Sequence, residues 1–192
     1  LKTDKEIAMA QTRLFTITQW LLNAAIAVCV FGGAVLCIAL GVLTLMGTGL
    51  WMPPEVAAKM TKELHGISQG YVFFIVGLAV FTGIVILALA ILIFWAVRQI
   101  VVSATHGDPF VVANADRLTR IGWLLVAIYG VQFAMSIAMG AMVPPQLKDH
   151  LKFDGFGFDF SPLGVLAILL IFVLAQIFRH GSQMRAELEG TV

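Results

Sequence analysis

The sequence predicts an all-α integral membrane protein: a four-helix bundle of two hairpins in parallel tandem, with both termini in the cytosol. Three observations carry that expectation. Of 192 residues, 60% are hydrophobic and only 12% charged, against about 25% charged in soluble domains. The apolar residues gather into four charge-free runs, each reaching the ~17–25 residues that cross a bilayer core. The basic residues divide unequally between the two sides those runs define.

Residues 1–13 form a mixed-charge, helix-compatible segment with Lys2, Asp4, Lys5, Glu6 and Arg13, expected at the cytosolic surface. No charge then occurs from Leu14 to Pro54, and span one is placed at about 18–45, with Trp20 and Trp51 as interfacial rings. That run is too long for a signal-peptide core and no cleavage pattern follows it, so it is expected to stay as a span. Met52-Pro-Pro-Glu55 stops the helix. Val56, Met60 and Leu64 recur at helical spacing among Lys59, Lys62 and Glu63, which describes a short amphipathic surface helix ended by Gly66.

Span two covers about 71–97, with its helix able to run past Arg98 to Thr105. A polar elbow at 98–120 follows. Within it Asp108 reads as an N-cap and Pro109 as a first helical residue, because the carboxylate accepts from orphan amides and Pro needs no donor there. Arg117 and Arg120 come one turn apart, just before span three at about 121–142. Val143-Pro-Pro-Gln146 stops that span. In the next loop Phe156, Phe158 and Phe160 alternate with small or polar residues, as in an extended segment dipping one face into the interface. Span four covers about 162–178, and residues 179–192 form a polar cytosolic tail.

Orientation follows from the basic residues. One side carries Lys2, Lys5, Arg13, Arg98, Arg117, Arg120, Arg179 and Arg185; the other carries Lys59, Lys62, Lys148 and Lys152. The excess places the termini and the elbow in the cytosol. The halves also echo each other: Trp51-Met-Pro-Pro-Glu55 with Met142-Val-Pro-Pro-Gln146, and His106-Gly-Asp108 with His180-Gly-Ser182. Both hairpins enter from the same side, so such a repeat is parallel, unlike the inverted repeats of many transporters.

The chemistry of the runs is sparse. Their cores hold no Asp, Glu, Lys, Arg or His, which counts against a pump or proton-coupled transporter. Thr18, Gln19, Asn23, Thr82, Gln132, Ser136 and Gln176 are read as interhelical hydrogen-bonding residues. Gly77, Gly83, Gly130 and Gly140 are read as points of close helix approach. Cys29 and Cys37, eight residues apart in one helix, stand roughly 12 Å apart, too far for a disulfide. No phosphate-binding glycine loop or metalloprotease motif occurs. His106 and His180 sit at helix ends beside glycine and not in a bundle core, so neither haem nor metal ligation is assigned to them. Asp149, Asp154 and Asp159 lack the spacing of a calcium loop. No catalytic residue, cofactor or metal site is assigned. A net charge of +1 and the lack of a basic patch exclude direct nucleic-acid binding.

Gly107-Asp-Pro-Phe110, Asn114-Ala-x-Arg117-Leu118-x-x-Ile121-Gly122, Phe178-Arg-x-Gly181 and the terminal Glu189-Gly-Thr-Val192 resemble the small bacterial membrane proteins of the domain of unknown function 2975 family. Ala113 stands where that pattern has Glu, and the tail is less acidic. The resemblance implies a four-helix bacterial inner-membrane protein encoded beside a small helix-turn-helix regulator. The leading expectation is therefore a non-enzymatic protein whose cytosolic elbow and tail dock a partner such as that transcriptional regulator. The docking or structural elbow comprises Asp108, Pro109, Phe110, Asn114, Arg117 and Arg120, with Arg179, Arg185, Glu187 and Glu189 from the tail. In one version the tail carboxylates fold back onto the elbow arginines. The alternatives are a small-molecule or lipid-binding carrier, with a cavity lined by Asn23, Gln132 or Gln176, and an accessory subunit of a membrane complex. Beyond the lipid bilayer and a protein partner, small residues on the spans also suit a homo-oligomer.

Overall fold

A computed structural model of the chain describes residues 2–48, 53–55, 58–59, 68–105, 111–143 and 161–189. Its elements are four helices: α1 (Lys2–Gly47), α2 (Gln69–Thr105), α3 (Val112–Met142) and α4 (Pro162–Glu189). The apolar stretches within them, Phe15–Gly47, Gln69–Ala104, Val112–Met142 and Pro162–Arg185, run for 33, 36, 31 and 24 residues. At 1.5 Å per residue even the shortest reaches about 36 Å, enough for a hydrocarbon core of about 30 Å. The protein is a multi-pass membrane protein. Its side chains agree: Trp20, Leu21, Val28, Phe31 and Ile38 are exposed along α1, where no residue of 15–47 is buried. In water such a surface would be prohibitive; here it contacts lipid.

Local chemistry sets the helix ends. Ser161 caps α4, its carbonyl accepting from Gly164 and Val165 at 2.9 and 3.2 Å, with Pro162 in the first helical position. The Ser68 carbonyl does the same for α2, accepting from Tyr71 and Val72. At the end of α1 the Thr48 hydroxyl donates to the Leu45 carbonyl at 2.9 Å. Pro144 follows Val143 and ends α3. Two sequence boundaries shift. The N-terminal segment is one continuous helix with span one, and the helix of α4 runs on to Glu189, beyond the span expected at 162–178. The amphipathic helix around Val56, Met60 and Leu64, the Phe156–Phe160 alternation and the aspartates of that loop lie outside the described residues. So do Trp51, His65, His106 and His150.

The chain forms two compact units. One comprises Leu1–Val30, Leu89–Ala127 and Phe160–Val192, the other Phe31–Ala88 and Ile128–Asp159. In the second unit α1 and α2 run antiparallel. A Cβ placed on Gly32 would meet Leu87 at 3.8 Å, one on Gly83 would meet Leu36 at 3.4 Å, and one on Gly77 would meet Leu40 at 3.8 Å. Each pair of numbers adds to nearly the same total, as an antiparallel register requires. Ile75, Met135, Met139 and Val143 form the buried cluster between α2 and α3, with Leu78 and Ala79 against it. The Tyr71 hydroxyl donates to the Met142 carbonyl at the same end.

A Cβ on Gly77 or Gly83 would thus make ordinary van der Waals contact with the facing helix, whereas one on Gly130 or Gly140 meets nothing within 4 Å. Both are exposed on α3, whose packed face in this unit runs instead through Met135 and Met139. Thr82 also departs from expectation. Its hydroxyl donates to the Leu78 carbonyl of its own helix at 2.9 Å, the back-bond that β-hydroxyl side chains reach most easily.

In the first unit α3 and α4 meet closely at Gly122. A Cβ on Gly122 would fall 2.8 Å from the Cζ atom of Phe172, and that ring packs edge-on against Trp123, with centroids 5.8 Å apart and planes at 77°. Gly122→Leu is expected to cost about 1–3 kcal/mol by overpacking. Gly130→Leu, directed into open space, should leave stability unchanged within ~0.5 kcal/mol. Thermal unfolding of the two variants in detergent measures the difference.

Candidate functional site: a polar clamp flanking the elbow

The buried face of α3 begins as soon as the helix does. Asn114, Ala115, Leu118, Ile121 and Gly122 recur at helical spacing, and all are buried. Asn114 is 0% exposed and, with Met139, among the largest fully buried side chains described. A primary amide cannot be taken from water without partners, so its surroundings are constrained.

Those partners form a chain with one direction. The Arg117 Nη1 group donates to Asn114 Oδ1 at 2.7 Å. The Asn114 Nδ2 group donates to Ser103 Oγ at 2.7 Å, and that hydroxyl lies 2.9 Å from the Ile100 carbonyl. Ser103 Oγ also stands 2.9 Å from Asn114 Oδ1, but a hydroxyl has one proton, and the Ile100 carbonyl accepts it when the amide nitrogen fills the oxygen lone pair. The opposite amide orientation would set –NH2 against guanidinium, donor against donor. Arg117 Nε then donates to Gln99 Oε1 at 3.0 Å. Gln99 and Ser103 are one turn apart on α2, Asn114 and Arg117 one turn apart on α3. Among the described residues no buried side-chain nitrogen or oxygen lacks a hydrogen-bond partner.

A second link joins α3 to α4. Arg179 Nη2 and Asp116 Oδ1 are 2.9 Å apart, with side chains 42% and 63% exposed. On α4, Phe172, Ala175, Arg179 and Ser182 share the face turned to α3; Ala175 and Ser182 are buried, and the Ser182 hydroxyl donates to the Arg179 carbonyl at 2.8 Å. The opposite face lines a groove of about 630 Å³ made by Gln176, Ile177, His180, Gly181, Met184 and Arg185.

Residues 51–192 match the model of the family described as "Protein of unknown function (DUF2975)". The chain belongs to this family. No curated protein and no solved structure matches it. The match begins at Trp51, well before the motifs at 106–192, and so takes in the whole of α2 with Gln99 and Ser103.

In this DUF2975 protein the expected site residues separate into three groups. Asn114 and Arg117 are brought together, and Arg179 joins α3 through Asp116. Arg120, Arg185 and Glu187 are exposed. Asp108, Pro109 and Phe110 lie outside the described residues, as does the side chain of Glu189. Two expectations change. Val111 is not helical and α3 starts at Val112, three residues after the position a Pro109 start would give; the first turn closes where Asn114 N–H reaches the Val111 carbonyl at 2.9 Å, in step with the first buried side chain. Arg117 is held by the neutral oxygens of Asn114 and Gln99 instead of a tail carboxylate, and the ion pair between α3 and α4 has the reverse polarity, acid on α3 and base on α4. Sequence reading passed over Gln99, Ser103 and Asp116. The i, i+4 spacing of Gln99 and Ser103 past the end of an apolar run was the available signal.

Asn114→Ala leaves Ser103 and Arg117 each short of a partner and is expected to destabilise by about 1–3 kcal/mol. Asp116→Asn, which opens only an exposed pair, should cost no more than ~1 kcal/mol. Denaturation monitored by circular dichroism in one detergent ranks the two.

Proposed function

We propose that this is a non-enzymatic protein of the bacterial inner membrane whose cytosolic elbow and tail dock a protein partner, a small helix-turn-helix transcriptional regulator being the partner to test first. The observation that carries this reading is the Asp116–Arg179 ion pair at 2.9 Å, which ties the helix leaving the elbow to the helix leading into the tail. Exposed Arg120 lies one turn beyond Asp116 on α3, so the joined surface offers charges of both signs. Such rim charges govern partner choice and association rate more than affinity.

The reading takes the arginine-rich unit as the cytosolic one. Arg13, Arg98, Arg117, Arg120, Arg179 and Arg185 belong to the unit containing Leu89–Ala127, while Lys59, the described lysine of the opposite set, belongs to the other. That division supports both termini in the cytosol, with two hairpins entering from that side in tandem. The regulator as partner rests on the family resemblance.

A carrier reading has one observation in its favour, Gln176 on the α4 groove. Asn23 and Gln132, the other residues expected to line a carrier cavity, are exposed on their helices.

Affinity purification of the full chain from mild detergent, followed by mass spectrometry, tests the docking reading. A soluble regulator is expected to co-elute with the wild type. Its recovery should fall at least about tenfold with the double charge reversal D116K/R120E, as expected for a loss of roughly 1.4 kcal/mol or more at the rim. Recovery of a lipid or metabolite with no protein partner would overturn it.

A further inference from the structure

We infer that the α2–α3 junction binds a phosphate-bearing anion on its Gln99 side, held by Arg117 together with Arg98 and Arg120. The central group, Arg117, is turned to α2, whereas the docking reading rests on the Asp116–Arg179 pair between α3 and α4.

The Arg117 guanidinium carries five N–H donors, of which Gln99 Oε1 takes one at 3.0 Å and Asn114 Oδ1 another at 2.7 Å. Both acceptors are neutral, so the charge is positioned without being cancelled. The Nη2 group enters neither bond. Because no buried side-chain nitrogen lacks a partner among the described residues, Nη2 stands at an accessible surface. A guanidinium already ordered by neutral acceptors, with one nitrogen open, gives up little further freedom when an anion arrives.

The Gln99–Arg117 bond also fixes which flanks of the two helices meet. On α2 the step from Ser103 to Gln99 turns about 40° around the axis, and Arg98 lies about 100° further in the same sense. On α3 the step from Asn114 to Arg117 turns about 60°, and Arg120 lies about 60° further, again in one sense. Ser103 meets Asn114 and Gln99 meets Arg117, so Arg98 and Arg120 border the same side of the junction. Both are exposed, and all three bases belong to one compact unit. Asp116 is the one acid among the described residues of 98–120. It is rotated about 100° from Arg117 and paired with Arg179 at 2.9 Å, so it does not offset the three charges.

Bases that converge from two helices suit a tetrahedral anion, whose oxygens point in several directions, better than a planar carboxylate with two. Guanidinium forks match phosphate oxygens with paired donors. A lipid headgroup and a soluble phosphate share that chemistry.

Thermal unfolding of the full chain, delipidated in mild detergent, tests the inference with two probes. Inorganic phosphate is compared with chloride at equal ionic strength, and phosphatidylglycerol with diacylglycerol of matched chains. At least one phosphate probe is expected to stabilise the wild type saturably, and the probe that does so identifies the source. Gln99→Glu sets a carboxylate against Arg117 while keeping an acceptor for it, so this variant should fold and lose the response. Arg98→Gln, which leaves the buried network whole, should weaken apparent affinity about fivefold, the effect of one basic residue. Arg185→Gln, on α4, should change nothing. No stabilisation of the wild type by either probe overturns the site, as does a Gln99→Glu variant that responds like the wild type. An equal fall in the Arg98 and Arg185 variants would reduce the effect to general surface charge. A response confined to Asp108→Asn would make Asp108 the resident counter-ion and overturn the site equally.

Discussion

Complete burial of one amide, Asn114, constrains this end of the protein more than any other interaction described. A dry amide needs an acceptor for its nitrogen and a donor for its oxygen, both at fixed angles. Ser103 and Arg117 meet those demands from opposite directions, and each is itself satisfied by a further group on α2. Sliding α3 against α2 by one residue would leave several of these atoms unpaired, each at a cost of about 1–3 kcal/mol. The network therefore sets the register of the two helices on either side of the elbow. It also accounts for an arginine with no carboxylate among its described partners: the guanidinium is accommodated by two side-chain carbonyl oxygens that accept without adding charge.

Elsewhere the helices associate by shape. Between lipid-solvated helices the hydrophobic effect supplies little drive, and close packing of small residues has to serve. Gly47 lets Phe73 of the facing helix come near in the unit containing Phe31–Ala88, and Gly122 receives the Phe172 ring in the other. Glycine alone does not mark such places. Gly130 and Gly140 have the same chemistry and the same kind of neighbours in sequence, yet face open space, because the packed face of α3 passes through Met135 and Met139.

Membrane class and helix number were legible because they depend on totals: charge-free length and proline stops read the same whatever the partner helix does. The family was legible from a few linked motifs. What escaped sequence reading depends on rotation about helix axes. Thr82 is a polar residue in a span whether it bonds a neighbour or its own backbone. Asp116 and Arg117 are adjacent in sequence, but a 100° turn sends one to α4 and the other to α2. Pairing by charge sign alone matched tail acids with elbow arginines, whereas Arg117 is drawn to the amide oxygens that its side of the helix reaches. The helix outruns the charge-free run of span four, which ends at Phe178, and its hydrogen bonding continues through Arg179 and His180 to Glu189, with Ser182 buried.

These contacts differ enough in strength to rank the parts of the site by ease of movement. The α2–α3 junction is held by a buried, fully satisfied network, and opening it exposes several orphaned groups at once. Deeper in the same unit α4 is fixed to α3 by the Gly122, Trp123 and Phe172 contact. Between that contact and the tail the links include Ser182 burial and an exposed ion pair worth about 0–1 kcal/mol. A partner that offers Asp116 or Arg179 a comparable charge can take over that pair at almost no net cost. Loss of that pair would leave the α2–α3 register intact, because the Asn114 network passes through neither Asp116 nor Arg179.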